Sequence, residues 1–395
     1  GAIRDFRRGR NVSGRMNHGD EYIYLRQMSV ILLGVLTALY ASLMLFFTVG
    51  LLRTKRPDKR NIELKSVSLV VPIRNEAPCV LKTLEAIAAQ DYRGEWEAIC
   101  VDDRSTDETP AILEEFAKTH PRFTVVHVPI NSPYLESPKK RALETGFKIA
   151  KNEILMTMDA DSLPPEGWVT SMMACFRGNV AIVQGPKQNI GGNGLVYGYQ
   201  KLETLAYTCM EAAGFSLGMP MVASATALAY KKELFFKVGG FGELVHLSSG
   251  DDDMLVHKMI QVPGTGFRYN LDPEAIVDTA PVDRLRGLLN QRARWSSNGT
   301  RYTNHAYTFF LTLIYTFLVW LCISPWLALF LGFPWSWFLV PFAVKVAADI
   351  LFLTTGAIRL RSSRFLKALP YTELMQIPII VLAVPLGVLR FFKWK

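Results

Sequence analysis

The chain has 395 residues, enough for one large domain with a membrane part or for two ordinary domains. Half of the residues are hydrophobic. The five cysteines form no CxxC pair, which argues against a disulfide framework or a zinc site and favours a reducing cytosol. The net charge of +9 accompanies long apolar segments, a combination that favours anionic lipid head groups over nucleic acid as partners.

Residues 1–27 are predicted to be an N-terminal arm, which begins with an irregular, arginine-rich stretch. Residues 28–52 are apolar and almost uncharged, long enough for a helix across a bilayer core that needs about 20 residues. The basic cluster that follows is of the kind retained on the cytoplasmic side: Arg53, Lys55, Arg56, Lys59 and Arg60. The domain after it is therefore expected in the cytoplasm.

Residues 62–282 alternate between short apolar, β-branched runs and helical patterns. The predicted strands are 67–71, 98–101, 123–128, 154–158 and 180–184, and the predicted helices between them are 78–90, 107–118, 139–150 and 165–176. This alternation predicts an α/β domain, with a mostly parallel sheet covered by helices on both faces. Right-handed crossovers then place the ligand-binding loops at the carboxyl ends of the strands.

Acidic residues follow two of these strands, in the segments Asp102–Asp107 and Asp159–Asp161. Helix capping is the better interpretation for Ser105 and Asp107, because such side chains accept hydrogen bonds from the first N–H groups of a helix. Capping explains Asp159 and Asp161 poorly, since two like charges at a buried strand end repel each other. Oxygen ligands of this kind suit Mg²⁺ or Mn²⁺, which bind one or two carboxylates together with substrate phosphates.

A third acidic cluster, Asp251–Asp253, precedes an apolar helical pattern. Three adjacent carboxylates are more than a helix cap needs, and one of them could take a proton from an acceptor hydroxyl. The alternative interpretation is a solvated helix start.

Leucines at 285, 288 and 289 share a helical spacing with Arg292 and Trp295, which predicts an interfacial amphipathic helix within residues 283–303. An arginine in the segment Gln291–Trp295 could bind a phosphate through two hydrogen bonds. The tryptophan could stack on a sugar or anchor the helix at the interface. The alternative is that these residues only snorkel at the membrane surface.

Three further apolar stretches, 307–332, 335–356 and 374–392, predict about three membrane segments over residues 307–392. Lys345 and Asp349 lie within the second of them, four residues apart on one helix face. Charges at that depth are costly unless they are paired or face a polar cavity, so the two are predicted to pair.

Seven segments together resemble the membrane branch of the inverting family-2 glycosyltransferases. That branch includes cellulose, chitin-oligosaccharide, hyaluronan and poly-N-acetylglucosamine synthases and ceramide glucosyltransferases. The segments follow the family's order and spacing: VVPIRNE (70–76), VDDRSTDET (101–109), PKKRALETG (138–146), MDADS (158–162), VQGP (183–186), SGDDDML (249–255) and QRARW (291–295). One such match could be chance, but seven in order are highly specific.

The resemblance implies a GT-A-type sheet with additional transmembrane helices. It also implies a nucleoside pocket lined by Pro72, Asn75, Glu76, Asp102 and Asp103, with an acidic side chain accepting a hydrogen bond from the base. The family places a basic residue near the nucleotide at the position of Lys139. Asp159 and Asp161 correspond to the motif that binds Mg²⁺ or Mn²⁺ with the donor diphosphate, with Asp161 the more direct ligand.

By the same resemblance Asp252 is the general base, because the family has a leucine three residues later, here Leu255. Many members have glutamate where this chain has Asp251, so the assignment among Asp251–Asp253 stays open. Gln291, Arg294 and Trp295 match the family's Q-x-x-R-W motif, which contacts the diphosphate and the acceptor.

The implied activity is the transfer of a hexosyl group, with inversion, from a nucleotide-sugar to a hydroxyl group. The resemblance favours a UDP-sugar as the donor. The expected acceptor is a lipid or lipid-linked molecule at the cytoplasmic face of the inner membrane. A processive polysaccharide synthase with a glycan acceptor is the alternative. A nucleotidyltransferase and an inactive membrane scaffold are alternatives from other classes. A nucleotidyltransferase would need a glycine-rich loop after the first strand, which this sequence lacks. An inactive scaffold would not need the acidic motifs, which this sequence has intact.

Overall fold

The computed structural model describes residues 18–129, 137–247, 250–299, 301–302 and 305–392, with side chains from residue 27 onward. Most of the predicted N-terminal arm lies outside these ranges, but its last residues are helical. The helices are α1 His18–Arg53, α2 Val80–Ala88, α3 Thr109–Thr119, α4 Pro138–Ile149, α5 Trp168–Met173, α6 Leu195–Ser216, α7 Lys232–Lys237, α8 Asp253–Met259, α9 Leu285–Ser296, α10 His305–Leu331, α11 Ser336–Arg359 and α12 Leu369–Val388.

Seven strands form the main sheet in the order β3-β2-β1-β4-β8-β6-β9. These strands are β1 Val67–Ile73, β2 Trp96–Asp102, β3 Phe123–His127, β4 Ile154–Thr157, β6 Val180–Gln184, β8 Leu228–Lys231 and β9 Gly266–Tyr269. Only β8 runs antiparallel to its neighbours, β4 and β6, so the predicted mostly parallel α/β sheet is confirmed. A smaller sheet contains β5 Ser162–Leu163, β7 Lys187–Asn189 and β10 Val277–Thr279.

The strand order locates the ligand-binding edge. The chain moves outward from β1 to β2 and β3, then returns to place β4 on the opposite side of β1. Ligands bind at such a reversal, in the crevice outside the carboxyl ends of the strands. The loops that follow β1, β2 and β4 therefore converge at one edge, and they carry the acidic segments.

The main sheet is covered on both faces, because successive side chains of a strand point to opposite sides. Val67, Leu69 and Val71 of β1 pack in a cluster with α2 and α5. Val70 packs in the other cluster, which also contains residues from α4, α6 and the long apolar helices, among them Phe47, Phe317 and Phe352. The domain and these helices thus share one continuous hydrophobic core.

Four helical segments among the described residues are long and apolar enough to cross a membrane: Gln27–Arg53, His305–Leu331, Ser336–Arg359 and Ser363–Val388. The last of them combines a 3₁₀ turn, Ser363–Ala368, with α12. Pro378 and Pro385 lie inside α12 without ending it.

Lys345 and Asp349 form the predicted ion pair, with 2.8 Å between Nζ and Oδ2. The structure adds three partners from other helices. Lys345 Nζ also donates to Glu373 Oε2 at 2.5 Å and to Gln376 Oε1 at 2.9 Å, while Tyr40 Oη donates to Asp349 Oδ1 at 2.7 Å. These five residues, called here the interhelical network, join α1, α11 and α12.

Two arginines bind the last carbonyls of α1 and α11: Arg359 at the end of α11, and Arg56 three residues after the end of α1. Arg359 Nη1 donates to the carbonyls of Leu51 and Leu52 at 2.5 and 2.7 Å, and Arg56 Nη2 donates to the carbonyl of Arg359 at 3.0 Å. The last carbonyls of a helix lack partners within it, and positive charge is favourable there. The first and third candidate spans are therefore fixed to each other at the ends that face the domain.

Candidate active site

The loops after β1 and β2 hold each other in place. Asn75 and Arg104 both have left-handed backbones, with φ of 54° and 58°. Asn75 N donates to Ser105 Oγ at 2.9 Å, and Thr106 N donates to Asn75 Oδ1 at 2.7 Å. Asp107, which precedes the N-cap residue Glu108, accepts through Oδ1 from Thr109 N at 3.0 Å at the start of α3. The predicted capping role of Ser105 is wrong, because its hydroxyl accepts from Asn75 N in the neighbouring loop. Both loops are thereby fixed before any ligand binds.

The two acids at the end of β2 have different surroundings. Asp102 accepts from Ser105 N at 3.2 Å and contacts His127 Nδ1 at 3.0 Å. Asp103 Oδ1 accepts from Arg141 Nη2 at 2.5 Å, whereas Asp103 Oδ2 is buried with no hydrogen-bond partner among the described residues. A buried acceptor without a donor costs free energy unless a ligand supplies one. Of these two acids, Asp103 is therefore the one whose Oδ2 can accept a hydrogen bond from a ligand.

Asp159 and Asp161 follow β4, and their pKa values shift in opposite directions. Burial acts to raise the pKa of Asp159, but Lys139 and Thr226 outweigh it and lower the value to about 2. Lys139 Nζ lies 2.6 Å from Asp159 Oδ1, and Thr226 Oγ1 donates to Oδ2 at 2.7 Å. Burial, with the nearby charges of Asp159 and Glu76, raises the pKa of Asp161 to about 6. Asp161 is therefore a carboxylate in a locally negative environment, although its side chain is still exposed to solvent.

The pair fits a divalent cation of the Mg²⁺ or Mn²⁺ type. Among the described residues, no group of three or more His, Cys, Asp and Glu side chains is arranged to bind a metal. Two carboxylates suffice for these ions when water and substrate phosphates supply the other ligands. A cation would also offset the negative charge that raises the pKa of Asp161.

The three acids at the start of α8 are not equivalent. Asp251 Oδ2 lies 3.0 Å from Lys139 Nζ, so one ammonium bridges this cluster and Asp159. Asp253 accepts from Met254 N at 2.7 Å and from the hydroxyl of Tyr302. The carboxylate of Asp252 accepts two hydrogen bonds from backbone N–H groups, from Asp253 N at 2.8 Å and from Ala225 N at 3.2 Å.

Asp252 also has the proton affinity that suits a general base. Burial, followed by the neighbouring charges of Asp251 and Asp253, raises the pKa of Asp252 to about 7. A base is most effective when its pKa lies near the working pH. Burial also raises the pKa of Asp253, but that carboxylate accepts from the Tyr302 hydroxyl, so the hydrogen-bond geometry distinguishes Asp252 within the cluster.

Helix α9 carries the segment Gln291–Trp295, and a buried ion pair anchors it to α6. Arg292 Nε lies 2.9 and 3.0 Å from the two carboxylate oxygens of Glu203, and Arg292 Nη2 contacts the same carboxylate. Tyr199 Oη donates to Glu203 Oε1 at 3.0 Å, and Gln291 Oε1 accepts from Arg292 Nη1 at 2.5 Å. Arg292 and Gln291 are thus bonded to each other within the protein.

Arg294 and Trp295 have different roles in this helix. The charge of Arg294 interacts with those of Asp251, Asp252 and Asp159, so its guanidinium lies within electrostatic range of the acidic cluster. Trp295 is 38% exposed. The guanidinium of Arg292 lies 4.1 Å from the centre of its ring, and the ring of Tyr207 meets it edge-on at 6.0 Å. The structure therefore brings Lys139, Arg294 and the acidic segments together at one edge of the sheet.

Residues that the sequence analysis does not single out complete the site. They are Lys187, Glu203, Ser224, Thr226 and Tyr302. Glu203 and Glu211 are the two acids of α6, and an acid in so apolar a helix is a signal that could have been followed. Thr226 lies in a run of small residues with no distinctive pattern, so only the three-dimensional structure reveals its contact with Asp159.

Two family models match the sequence. The model described as Glycosyl transferase family 2 matches residues 68–238, and the model described as Glycosyl transferase family group 2 matches residues 154–351. The second match covers half of the chain and extends from β4 into α11.

Curated relatives are similar at low identity. An N-acetylglucosaminyltransferase of Neorhizobium galegae is 25% identical over 70% of this chain and 64% of its own length. A poly-beta-1,6-N-acetyl-D-glucosamine synthase of Staphylococcus epidermidis is 25% identical over 60% of this chain and 55% of its own length. An N-acetylglucosaminyltransferase of Rhizobium meliloti is 29% identical over 61% of this chain and 57% of its own. This chain therefore spans less than two thirds of each of these relatives.

A solved structure has a similar fold. It is a mannosyltransferase from Pyrobaculum calidifontis in complex with GDP-Man and Mn²⁺, matched with a TM-score of 0.56 over 90% of this chain and 97% of that one. The sequences are 21% identical, so this likeness concerns the fold alone.

Proposed function

Because the chain belongs to the family-2 glycosyltransferases, with a GT-A-like fold, we propose that it transfers a hexosyl group from a nucleotide-sugar to an acceptor hydroxyl with inversion. One observation supports the proposal most strongly. At one edge of the sheet the structure brings together two carboxylates suited to a divalent cation, a third carboxylate with a raised pKa, and two positively charged side chains. These are Asp159 with Asp161, Asp252, and Lys139 with Arg294.

In the proposed mechanism Asp252 takes the proton of the acceptor hydroxyl. The acceptor oxygen bonds to the anomeric carbon as the bond from that carbon to the nucleoside diphosphate breaks on the opposite face, which inverts the configuration. Arg294 and Lys139 stabilise the negative charge that develops on the leaving diphosphate, and such electrostatic stabilisation usually accounts for most of the rate enhancement. Asp159 and Asp161 would hold Mg²⁺ or Mn²⁺, which supplies further positive charge to the diphosphate.

The donor is proposed to be a UDP-sugar, with a GDP-sugar as the competing choice. The free Oδ2 of Asp103 can accept from the ring N–H of uracil or guanine, a donor that cytosine lacks. Pro72, Asn75, Glu76 and Asp102 are proposed to shape the same pocket. UDP-N-acetylglucosamine is the first donor to test, because the curated relatives are named for N-acetylglucosamine transfer.

The proposed acceptor is a lipid or lipid-linked hydroxyl at the cytoplasmic face of the membrane. The four apolar helices support an acceptor delivered from the bilayer. Processive synthesis of an N-acetylglucosamine polymer is the second candidate. The synthase from Staphylococcus epidermidis favours it, and Gln291 and Trp295 would then contact the growing chain.

The test is a donor panel on the purified chain in detergent. Radiolabelled UDP-N-acetylglucosamine, UDP-glucose and GDP-mannose are each incubated with Mn²⁺ and a total lipid extract. We expect one donor to give a labelled, chloroform-soluble product of discrete mobility. A labelled polymer that stays in the aqueous phase would replace the lipid acceptor with the processive function. Absence of transfer from all nucleotide-sugars, with properly folded protein, would refute both.

A further inference from the structure

A short turn before β8 contacts three charged residues of the site through three consecutive residues. It comprises Ser224 and the first two residues of the 3₁₀ helix Ala225–Ala227. Ser224 Oγ accepts from Lys187 Nζ at 2.5 Å, Ala225 N donates to Asp252 Oδ2 at 3.2 Å, and Thr226 Oγ1 donates to Asp159 Oδ2 at 2.7 Å. One turn thus contacts both the proposed donor side and the proposed acceptor side of the reaction.

The turn is itself held by the main sheet. Gln184 at the end of β6 donates through Nε2 to the carbonyls of Ser224 and Ala227 at 3.2 and 3.1 Å, and its Oε1 accepts from Ser224 N at 3.0 Å. Thr157 at the end of β4 donates to the carbonyl of Ala225 at 2.7 Å. Ser224, Ala225 and Thr226 are all buried. The turn therefore bridges two strand ends and has little freedom to move.

We propose that this turn positions Asp159 and Asp252 relative to each other, so that metal binding and proton removal occur in one fixed geometry. The inference rests on the function proposed above. Hydrogen bonds from outer residues commonly orient the carboxylates that bind a metal. The Thr226 hydroxyl occupies one lone pair of Asp159 Oδ2, and a carboxylate retains further lone pairs for a cation.

The contact with Asp252 uses a backbone donor, which neither titrates nor rotates. It fixes Oδ2 while the N–H of Asp253 fixes Oδ1, so the carboxylate plane is set from both sides. Because the two contacts of the turn are chemically different, they can be removed separately. The side-chain contact serves the metal, and the backbone contact serves the base.

The first experiment compares Thr226→Val with Thr226→Ser in the full chain in detergent. Valine keeps the shape of threonine without the hydroxyl, whereas serine keeps the hydroxyl. Binding of Mn²⁺ in the presence of UDP is measured from the electron paramagnetic resonance signal of free Mn²⁺. We expect about 10- to 100-fold weaker binding for Thr226→Val and near wild-type binding for Thr226→Ser.

A matched control removes a similar bond outside the site. Thr170 Oγ1 donates to Asp91 Oδ1 at 2.5 Å, so Thr170→Val deletes a Thr-to-Asp hydrogen bond without touching Asp159. Its Mn²⁺ binding should match wild type. Thermal unfolding is recorded for every variant, and Thr226→Ala provides a smaller side chain if valine prevents folding. Wild-type Mn²⁺ affinity in a folded Thr226→Val or Thr226→Ala variant would overturn the metal half of the inference.

The second experiment uses Ala225→Pro, which removes the N–H that donates to Asp252. Proline tolerates the start of a helix, and Ser224 before it already has the extended backbone that a following proline requires. We expect kcat to fall by about 10- to 100-fold, with Mn²⁺ binding and the KM for the donor unchanged. If Thr226→Val and Ala225→Pro each lower both Mn²⁺ binding and kcat, the turn has only a general structural role. If wild-type protein binds Mn²⁺ with UDP but transfers no sugar, the proposed function is refuted. The comparison of Mn²⁺ binding between Thr226→Val and Thr226→Ser still tests whether the turn orients Asp159 for the metal.

Discussion

Three adjacent carboxylates in this protein have three different environments. Asp251 is paired with an ammonium, Asp253 accepts from a tyrosine hydroxyl, and Asp252 is fixed by two backbone N–H groups. A carboxylate buried beside like charges gains basicity, as Asp252 does. The difference arises from contacts and not from residue type, so each acid can be tested by the same substitution.

Asp252→Asn should lower the transfer rate by about 10²- to 10⁴-fold, the usual contribution of a positioned base. The substitution is nearly isosteric and removes only the ability to take a proton. Donor and metal binding should survive, as measured by UDP and Mn²⁺ titration. Asp251→Asn and Asp253→Asn are the matched controls. If either of them abolishes transfer while Asp252→Asn keeps it, the base belongs to that neighbour.

The pH profile gives the same assignment a second readout. A base works only when ionised, and the pKa of Asp252 is about 7. The kcat/KM of the wild-type enzyme should therefore fall as pH decreases through about 7. The residual activity of Asp252→Asn should lack this acid limb.

Asp161→Asn should abolish Mn²⁺-dependent transfer without destabilising the fold. Burial and the charges of Asp159 and Glu76 raise the pKa of Asp161 to about 6, so its ionisation above that pH opposes folding in the absence of metal. At about pH 7.5 without metal, above that pKa, the thermal midpoint of the variant should equal or exceed that of wild type. Full wild-type transfer in excess EDTA would contradict the metal role itself.

At the scale of elements, α9 is placed by contacts with two other helices. The Arg292–Glu203 pair fixes it to α6, and Gly387 allows α12 to approach closely, because a Cβ there would lie 2.2 Å from the carbonyl oxygen of Ala293. Arg294 and Trp295 follow Arg292 on the same helix. A rotation of α9 would therefore move the proposed phosphate and acceptor contacts together.

Glu203→Gln or Arg292→Met alone should cost about 3–5 kcal/mol, because each leaves a buried charge unpaired. The double variant Glu203→Leu/Arg292→Met should recover most of that stability, as apolar replacements of buried pairs often do. Its transfer activity should stay low, since Trp295 loses the guanidinium over its ring. Thermal unfolding and transfer assays in detergent provide both readouts.

The control for that pair is Glu115→Gln, which breaks an exposed ion pair with Lys118 and should change stability by less than about 1 kcal/mol. Full activity in the stable double variant would show that the buried pair contributes only to folding.

The interhelical network predicts a different mutational result from that of a simple Lys345–Asp349 pair. Lys345 serves both Asp349 and Glu373, so Lys345→Met leaves two buried carboxylates without their cation. It should be the most damaging single change. Adding Asp349→Leu should not rescue it, whereas the triple variant with Glu373→Gln should. The yield of membrane-inserted protein and its thermal midpoint in detergent measure this. Rescue by the double variant would mean that Glu373 does not depend on Lys345.

The sequence predicts strands β1, β2, β3, β4 and β6 of the main sheet well, for a physical reason. All five predicted strands form with bounds within two residues of those predicted, because buried parallel strands are continuous apolar runs. The sequence patterns assign no helix or strand between residues 185 and 250, where β7, α6, β8 and α7 lie. Strand β8 has only four residues and is defined by antiparallel pairing with β4 and β6, which no local pattern encodes.

The same difference applies to the site. Acids that follow predictable strands, such as Asp103 and Asp159, could be located from the sequence. Their partners Thr226 and Arg141 depend on long-range packing and could not. Helix α5 is predicted over 165–176 but covers only Trp168–Met173, since the flanking residues form tighter turns.

At the scale of the whole molecule, the basic cluster from Arg53 to Arg60 predicts that the domain lies on the cytoplasmic side of the membrane. A cysteine at the exposed position Lys148 should resist a membrane-impermeant maleimide in intact cells and react after lysis. Ser336→Cys, exposed at the opposite end of the helices, should react in intact cells. Wild-type protein supplies the background of the native cysteines. Labelling of Lys148→Cys before lysis would reverse the orientation.

The core that the domain shares with the apolar helices sets an order of events during synthesis. The ribosome completes the sheet before it reaches residues 305–392, which cover one of the sheet's two hydrophobic clusters. At about 5–20 residues per second, those last residues take roughly 4 to 18 seconds to emerge. During that interval the nascent domain would expose the apolar surface that these residues later cover. We therefore expect that premature termination before α10 yields an aggregation-prone fragment.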